Sequence, residues 1–206
     1  RDATQDELVR EGERRLRLAM DHGTTFIEAK SGYGLDTKSE LALLEAAETL
    51  AKSAGAPPIR HTWLGAHATP PSEEGDGRTE ESRRAAYVDE MLAEQLPAVL
   101  DQGIADSVDV FCEPGWFTVE ETEEICRAGA GGGLQVRLHV DEFEEGGGAA
   151  LAAELGARTA DHAAWSDSEG RASCARAGTL QGFLPGTPHV LGSDHWPPIR
   201  ECLDNR

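Results

Sequence analysis

The sequence predicts an α/β fold in which helices cover a parallel sheet. Three observations carry this prediction: short β-rich runs alternate with helical stretches six times, the helical stretches begin at capping residues, and titratable side chains follow the strands. Alternating strands and helices are typical of parallel sheets with helices outside them. A closed (β/α)8 barrel needs about 250 residues, and this chain has 206. A partial barrel and a doubly wound open sheet therefore both stay open at this point.

Each strand is predicted from a short apolar or β-branched run that ends in polar residues or glycine. The strand candidates are 24–28, 59–64, 107–112, 134–139, 157–161 and 179–184. The helical candidates are 6–21, 38–53, 80–102, 119–128, 147–155 and 167–177. Hydroxyl residues occupy the expected N-caps of four helices, and glycines the expected ends of five. These are Thr37, Thr79, Thr118 and Ser166, and Gly55, Gly103, Gly129, Gly156 and Gly178.

The glycine-rich stretch GAGGGL at 129–134 precedes a strand, so it is interpreted as a helix end and turn. A phosphate-binding loop of the dinucleotide type would follow the first strand instead. Similarly, the glycines at 146–148 are expected to open a helix. The sequence therefore gives little support to a nucleotide site.

Composition excludes several classes of function. The net charge is −19, and only three of the nineteen basic residues are lysines, so no basic patch exists to bind nucleic acid. No apolar run is long enough for a membrane span, and no signal peptide is visible. The four cysteines are far apart and form no CxxC pair, which favours reduced thiols in a cytoplasm. The acidity fits either an ordinary acidic protein or a halophilic one.

Polar side chains stand at the ends of five of the six predicted strands. In (β/α) barrels the active site is built at these carboxyl ends. Lys30 follows the first strand and His67 the second, and the third strand ends in Glu113. The fourth strand ends in the stretch from His139 to Glu142, and the fifth ends in Asp161 and His162. We therefore expect one face of the sheet to carry a functional site.

The strength of this expectation differs between residues. His139 is the type of strand-end histidine that binds a divalent metal, and Glu142 is placed to handle protons. His162 is a candidate for polarising a substrate, and Tyr33 between two glycines for contacting one. His67 alone is more often a structural histidine.

Glu113 fits a site or the cap of a neighbouring helix equally well. The remaining histidines have no such placement and are expected to be structural. They are His22, His61, His189 and His195.

Six segments together resemble successive motifs of imidazolonepropionase, a family of the amidohydrolase superfamily. They are IEAKSGYGLD (27–36), TWLGAHATPP (62–71), VDVFCE (108–113), VRLHVDE (136–142), TADH (159–162) and LPGTPH (184–189). They occur in the order of the family and cover nearly the whole chain. The resemblance implies a (β/α)8 TIM barrel of amidohydrolase type with a small β-sandwich. Residues 1–206 would form strands two to seven as a partial metal-dependent domain, without the first and last strands and the β-sandwich.

The resemblance also implies an activity and roles for individual residues. The family hydrolyses 4-imidazolone-5-propanoate to N-formimidoyl-L-glutamate in histidine degradation, with one divalent metal, zinc or iron. His139 resembles a metal ligand, and Glu142 the carboxylate that contacts the substrate ring and the attacking water. His162 resembles the histidine that polarises the scissile carbonyl or assists the water. Tyr33 and His67 resemble substrate contacts. A homodimer is implied as well.

The sequence departs from the family pattern in the features expected on the first and last barrel strands. It contains no H-x-H pair, and His139 is the only recognisable metal ligand. It also begins with Arg1 rather than Met, so we expect a fragment whose parent is the enzyme. Two alternatives stay open: another cyclic-amide hydrolase or deaminase of the superfamily, and a truncated barrel without catalytic activity.

Overall fold

The computed structural model describes residues 2–72, 76–184 and 186–204. Arg1, and Pro185 of the LPGTPH motif, lie outside these ranges. The chain divides into two compact units, residues 1–107 and residues 108–206. Both units consist of strand and helix repeats, and the expectation of one partial barrel domain over residues 1–206 stays a prediction. No helix in the described ranges is long and apolar enough to cross a membrane.

The first unit contains two parallel strands and the helices that pack on them. Its strands are β1 (Ile27–Lys30) and β2 (Ile59–Ala66), and Ile27 pairs with Ile59. Buried apolar side chains, among them Trp63 and Leu64 of β2 and Leu44 of the second helix, form its core. Its helices are α1 (Gln5–Asp21), α2 (Thr37–Ala51), α3 (Glu80–Glu90) and α4 (Leu96–Gln102).

The second unit contains four strands in sequential order. They are β3 (Ser107–Cys112, of which Ser107 closes the first unit), β4 (Gln135–Val140), β5 (Thr159–His162) and β6 (Leu180–Gly182). Strands β4, β5 and β6 pair in parallel with their sequence neighbours, and β3 lies beside β4. The helices are α5 (Val119–Gly131), α6 (Gly148–Glu154), α7 (Ser168–Ala177), α8 (Gly186–Leu191) and α9 (Ile199–Asp204).

The register between β4 and β5 brings two candidate residues to neighbouring positions, one residue apart. His139 pairs with Asp161, and Val140 pairs with His162. Because the strands are parallel, their carboxyl ends meet at one edge of the sheet. Val140 and Leu138 are completely buried. The apolar alternation seen in the sequence therefore packs into the core, while His139 and His162 lie at the strand ends.

Six strand and helix units are confirmed, but several boundaries differ from the prediction. Strand β1 begins three residues late, because Thr24 donates its N–H to Ala19 in the turn that ends α1. The helix predicted over 80–102 is interrupted by a π-helical turn, Met91–Gln95. Pro97 follows this turn, and it has no N–H for the regular α-helical bond to Ala93.

The caps were partly predicted. Thr79 and Thr118 accept from the third residue of their helices as expected, and Gly103 and Gly178 are left-handed helix ends. Two predicted N-caps were wrong. Asp36 caps α2 in place of Thr37, and Asp167 caps α7 in place of Ser166, because a carboxylate stands one residue away in each case.

Candidate active site

The ends of β4 and β5 bring His139, Glu142 and His162 together, as the sequence predicted. The rings of His139 and His162 are 5.4 Å apart between centroids. Oε1 of Glu142 lies 3.4 Å from Nδ1 of His162, and both side chains are about seven-eighths buried. His162 adopts a positive φ of 68°, a conformation that costs energy in a residue with a side chain. Strain of this kind accumulates at functional sites.

Asp109 of β3 orients His139. Its Oδ1 lies 3.0 Å from Nδ1 of His139, and its side chain is completely buried. A carboxylate oxygen accepts hydrogen bonds, so Nδ1 carries a proton here, and in the neutral ring Nε2 is then the nitrogen with the lone pair. Carboxylates hold metal-binding histidines in this way. The sequence reasoning missed Asp109, although its position in the apolar strand VDVFC was a signal.

Glu142 is held in a largely buried position where its negative charge is disfavoured. Burial raises its pKa above the ordinary value, Glu113 nearby adds to the rise, and His139 opposes it. A carboxyl group with a raised pKa exchanges protons closer to neutral pH than a solvated one. The arrangement therefore suits Glu142 to accept and return a proton beside His162.

Two buried carboxylates support the loop of residues 141–147, called here the Glu142 loop. Glu113 accepts the N–H groups of Glu142, Phe143 and Glu144. Asp141 accepts three further N–H groups, of Gly146, Gly148 and Ala149, and the hydroxyl of Ser166. Glu113 thus holds a loop. The alternative that it caps a neighbouring helix was wrong.

An aromatic cluster and a cavity flank these groups. Phe111, Trp116 and Phe143 are within 5.2 to 6.1 Å of one another between ring centroids. A cavity of about 160 Å³ has Glu142 and His162 among its lining residues. The rest of the lining is largely apolar, with two hydroxyl groups. It consists of Phe143, Ala164, Trp165, Leu184, Thr187, Pro188, Leu191, Ser193, His195 and Pro197.

His195 has a more specific place than the sequence indicated. Its ring stacks on Trp165 with the centroids 3.7 Å apart, and its Nε2 lies 2.7 Å from the carbonyl oxygen of Ala164. Since a carbonyl only accepts, Nε2 carries a proton. The sequence assigned no functional role to this histidine, because it does not follow a strand.

The first unit holds the other two predicted site residues. Tyr33 and His67 form an edge-to-face ring pair with the centroids 4.6 Å apart. The Tyr33 side chain is largely exposed. Lys30 was also identified by its position after a predicted strand. Its Nζ lies 3.7 Å from Oε2 of Glu28. Gly32 and Gly34 therefore lie in a loop that exposes the Tyr33 ring to solvent.

The described residues do not fit a complete metal centre. No group of three or more histidine, cysteine or acidic side chains within 2–72, 76–184 and 186–204 is placed to hold one ion. A catalytic zinc normally has three protein ligands. His139, with its Nδ1 directed at Asp109, fits the part of a single ligand. The ligand set of a metal site is thus incomplete within this part of the chain.

Comparison with known proteins shows which proteins are similar to this chain in sequence. No protein-family model matches it. It is 40% identical over 199 residues to an imidazolonepropionase of Shewanella sediminis and 42% identical to one of Brucella suis. Each alignment covers 97% of this chain and 47% of the relative. The chain therefore spans about half the length of these relatives.

Solved structures show the same fold at low sequence identity. A triazine hydrolase of Arthrobacter aurescens matches with a TM-score of 0.62 and 18% identity, over 98% of this chain and 47% of that one. Atrazine chlorohydrolase of the same organism, solved with zinc, matches with a TM-score of 0.61 and 18% identity over the same shares. An amidohydrolase matches with a TM-score of 0.60 and 16% identity, over 98% of this chain and 53% of that one. Over 97% of its length this chain is therefore similar in sequence to imidazolonepropionases, of which it spans about half the length.

Proposed function

We propose that the chain is part of an enzyme that hydrolyses the cyclic amide of 4-imidazolone-5-propanoate to N-formimidoyl-L-glutamate, in histidine degradation. The observation that carries the proposal is the meeting of His139, Glu142 and His162 at two adjacent strand ends. The sequence likeness to imidazolonepropionases supports the choice of substrate. In this proposal the chain supplies strands two to seven of a (β/α)8 barrel, and the rest of the protein supplies the first and eighth.

The reaction needs a proton acceptor beside a carbonyl group. Water adds to the ring carbonyl carbon, the adjacent ring C–N bond breaks, and the carbonyl becomes a carboxylic acid that releases its proton to solvent as the carboxylate forms. Glu142 takes the proton from the water and returns it to the ring nitrogen that leaves. His162 donates a hydrogen bond to the carbonyl oxygen as negative charge develops on it. The contact between Glu142 and His162 keeps the two groups in one place.

One divalent metal ion, zinc or iron, would supply Lewis-acid activation of the carbonyl and the water in the intact enzyme. His139 is the ligand that this chain would provide, with Asp109 fixing the ring orientation. The other ligands would come from outside the described residues, among which no group of three donors is placed to hold one ion. Tyr33 and His67 are proposed as contacts for the substrate ring.

The setting of the enzyme is proposed from composition. The four cysteines are free, which fits a cytoplasm, and a homodimer follows the family resemblance. The charge of −19 supports a halophilic source, because salt screens the repulsion between acidic groups. Unfolding of the intact protein at low salt with recovery in molar KCl is the expected result, and indifference to salt would remove this idea.

Product analysis with a substrate panel tests the function. The intact protein, loaded with zinc or iron, is incubated with 4-imidazolone-5-propanoate, with hydantoins, and with aminated heterocycles. Formation of N-formimidoylglutamate from the first alone is expected. Preferential ring opening of another cyclic amide, or release of ammonia, would establish the hydrolase or deaminase alternative. No turnover by folded, metal-loaded protein would favour a barrel without catalytic activity.

A further inference from the structure

We infer that two buried glutamates, Glu113 and Glu40, are positioning residues, each of which fixes a loop that carries one site residue. Glu113 fixes the Glu142 loop, and Glu40 fixes residues 31–36, called here the Tyr33 loop. The inference deepens the proposed function and rests on it, since Glu142 and Tyr33 have their roles only in that proposal. Neither glutamate has a place in the reaction itself.

Glu113 makes its three contacts to consecutive backbone groups. Its Oε2 accepts from the N–H of Glu142 at 2.8 Å, and its Oε1 accepts from Phe143 and Glu144 at 2.8 and 3.0 Å. These three residues lie in a bend without helical or strand hydrogen bonds. One carboxylate, 2% exposed, therefore sets the backbone position from which the Glu142 side chain projects.

Glu40 repeats the arrangement in the first unit. It lies in α2, is completely buried, and accepts from the N–H groups of Gly32 at 3.0 Å, Gly34 at 2.6 Å and Leu35 at 3.3 Å. Gly32 has a φ of 131°. A methyl group on Gly34 would stand 2.6 Å from the backbone nitrogen of Glu40. The backbone on both sides of Tyr33 thus lies directly against this carboxylate.

Only a carboxylate is well suited to accept three backbone N–H groups at once. Its two oxygens accept up to about four hydrogen bonds and donate none. Glutamine has nearly the same shape, but its NH₂ group would face backbone N–H donors. The buried charge is compensated in both places by three aligned N–H groups, which reduces the cost of burial. A glutamine substitution therefore tests the hydrogen bonding with little change in packing.

The two substitutions should act on different kinetic constants. Glu142 acts in the chemical step, so Glu113→Gln is expected to lower kcat of the intact enzyme by about 10²-fold with little change in KM. Tyr33 contacts the substrate, so Glu40→Gln is expected to raise KM by roughly tenfold with a smaller change in kcat. A residue that only stabilises the fold would lower the melting temperature and the active fraction, and leave both constants of the folded enzyme unchanged.

The test combines kinetics with backbone hydrogen exchange on the intact, metal-loaded protein. In Glu113→Gln the amides of residues 142–144 should lose protection, and in Glu40→Gln those of residues 32, 34 and 35. Each variant serves as the internal comparison for the other. A double-mutant cycle adds Glu142→Gln, in whose background Glu113→Gln should have almost no further effect on kcat. Glu124→Gln on the exposed surface of α5 removes the same charge and serves as the matched control.

The outcomes are separable. Unchanged exchange at residues 142–144 and at residues 32, 34 and 35 overturns the inference whatever the substrate. Altered exchange with unchanged kcat and KM overturns the positioning role and leaves a structural one. If the wild-type protein fails to hydrolyse 4-imidazolone-5-propanoate, the proposed function fails. The substrate identified by the panel then provides the kinetic readout, and the exchange result still decides whether the glutamates fix the loops.

Discussion

Oε1 of Glu142 and Nδ1 of His162 lie 3.4 Å apart across the ends of two adjacent parallel strands. In this pair, a carboxyl group whose pKa is raised by burial faces an imidazole that can donate or accept a hydrogen bond. His139 stands beside it on β4, with Asp109 behind its ring. The sheet register therefore places acid–base groups and the imidazole of His139 at one edge.

Replacing Glu142 removes the proposed proton acceptor. Glu142→Gln keeps the shape of the side chain, so we expect kcat of the intact enzyme to fall by about 10²- to 10⁴-fold with an unchanged fold. The measurement is steady-state hydrolysis of 4-imidazolone-5-propanoate. Glu124→Gln is the control, and activity of Glu142→Gln within threefold of wild type would contradict the assignment.

Replacing Asp109 tests whether it orients His139. Asp109→Asn removes the charge that faces Nδ1 and leaves the volume almost unchanged. We expect the affinity of the intact protein for zinc to fall by about 10- to 100-fold. Competition with a chelator measures this affinity directly. Asp101→Asn on the exposed face of α4 should leave it unchanged, and an equal loss in both variants would show that the effect is general.

The burial of Glu40 predicts a pH dependence of stability. Burial raises the pKa of Glu40 above its ordinary value of 4.5, although the surrounding hydrogen bonds oppose the rise. The folded state therefore holds this proton at pH values where the unfolded state has lost it. Its contribution to stability is present below pH 4.5 and is lost as the pH rises through the folded pKa.

Urea unfolding of the intact protein at a series of pH values measures this contribution. The free energy of unfolding of Glu40→Gln should decline less steeply above pH 4.5 than that of wild type, because glutamine does not titrate. Parallel pH profiles for the two proteins would contradict the raised pKa.

Alanine substitutions at two glycines distinguish the effect of close packing on stability from the effect of helix propensity. A methyl group at Gly34 would stand 2.6 to 2.8 Å from atoms of Ser39 and Glu40, so Gly34→Ala should destabilise the protein by about 1–3 kcal/mol. Gly131, the last residue of α5, has nothing within 4 Å of the same position. Gly131→Ala should therefore be neutral or stabilising, by up to about 1 kcal/mol. Equal effects in thermal unfolding would contradict the packing at Gly34.

Much of the fold was predictable because the signals are local. Alternating apolar residues such as Val136, Leu138 and Val140 identify a strand, and a threonine such as Thr118 identifies a helix start. The π-helical turn before Pro97 was not predictable from periodicity alone, since the helical pattern continues through it. Cap positions one residue apart, as at Asp36 and Thr37, depend on which side chain reaches the backbone.

The site was predictable only where residues follow strands. His139, Glu142 and His162 could be identified in this way. Asp109 is conspicuous in an apolar strand, but its contact with His139 could not be predicted, because it depends on the lateral order of strands β3 and β4. His195 could not, because stacking on Trp165 is a contact between distant loops. Long-range contacts of this kind leave no periodic trace in the sequence.

The most direct test of the account compares zinc-dependent turnover by the purified 206-residue chain with turnover by the intact protein. Both are assayed for N-formimidoylglutamate formed from 4-imidazolone-5-propanoate under the same conditions. The account predicts turnover by the intact protein alone, because the described residues of this chain provide His139 but no complete metal site. Zinc-dependent turnover by the 206-residue chain would contradict it.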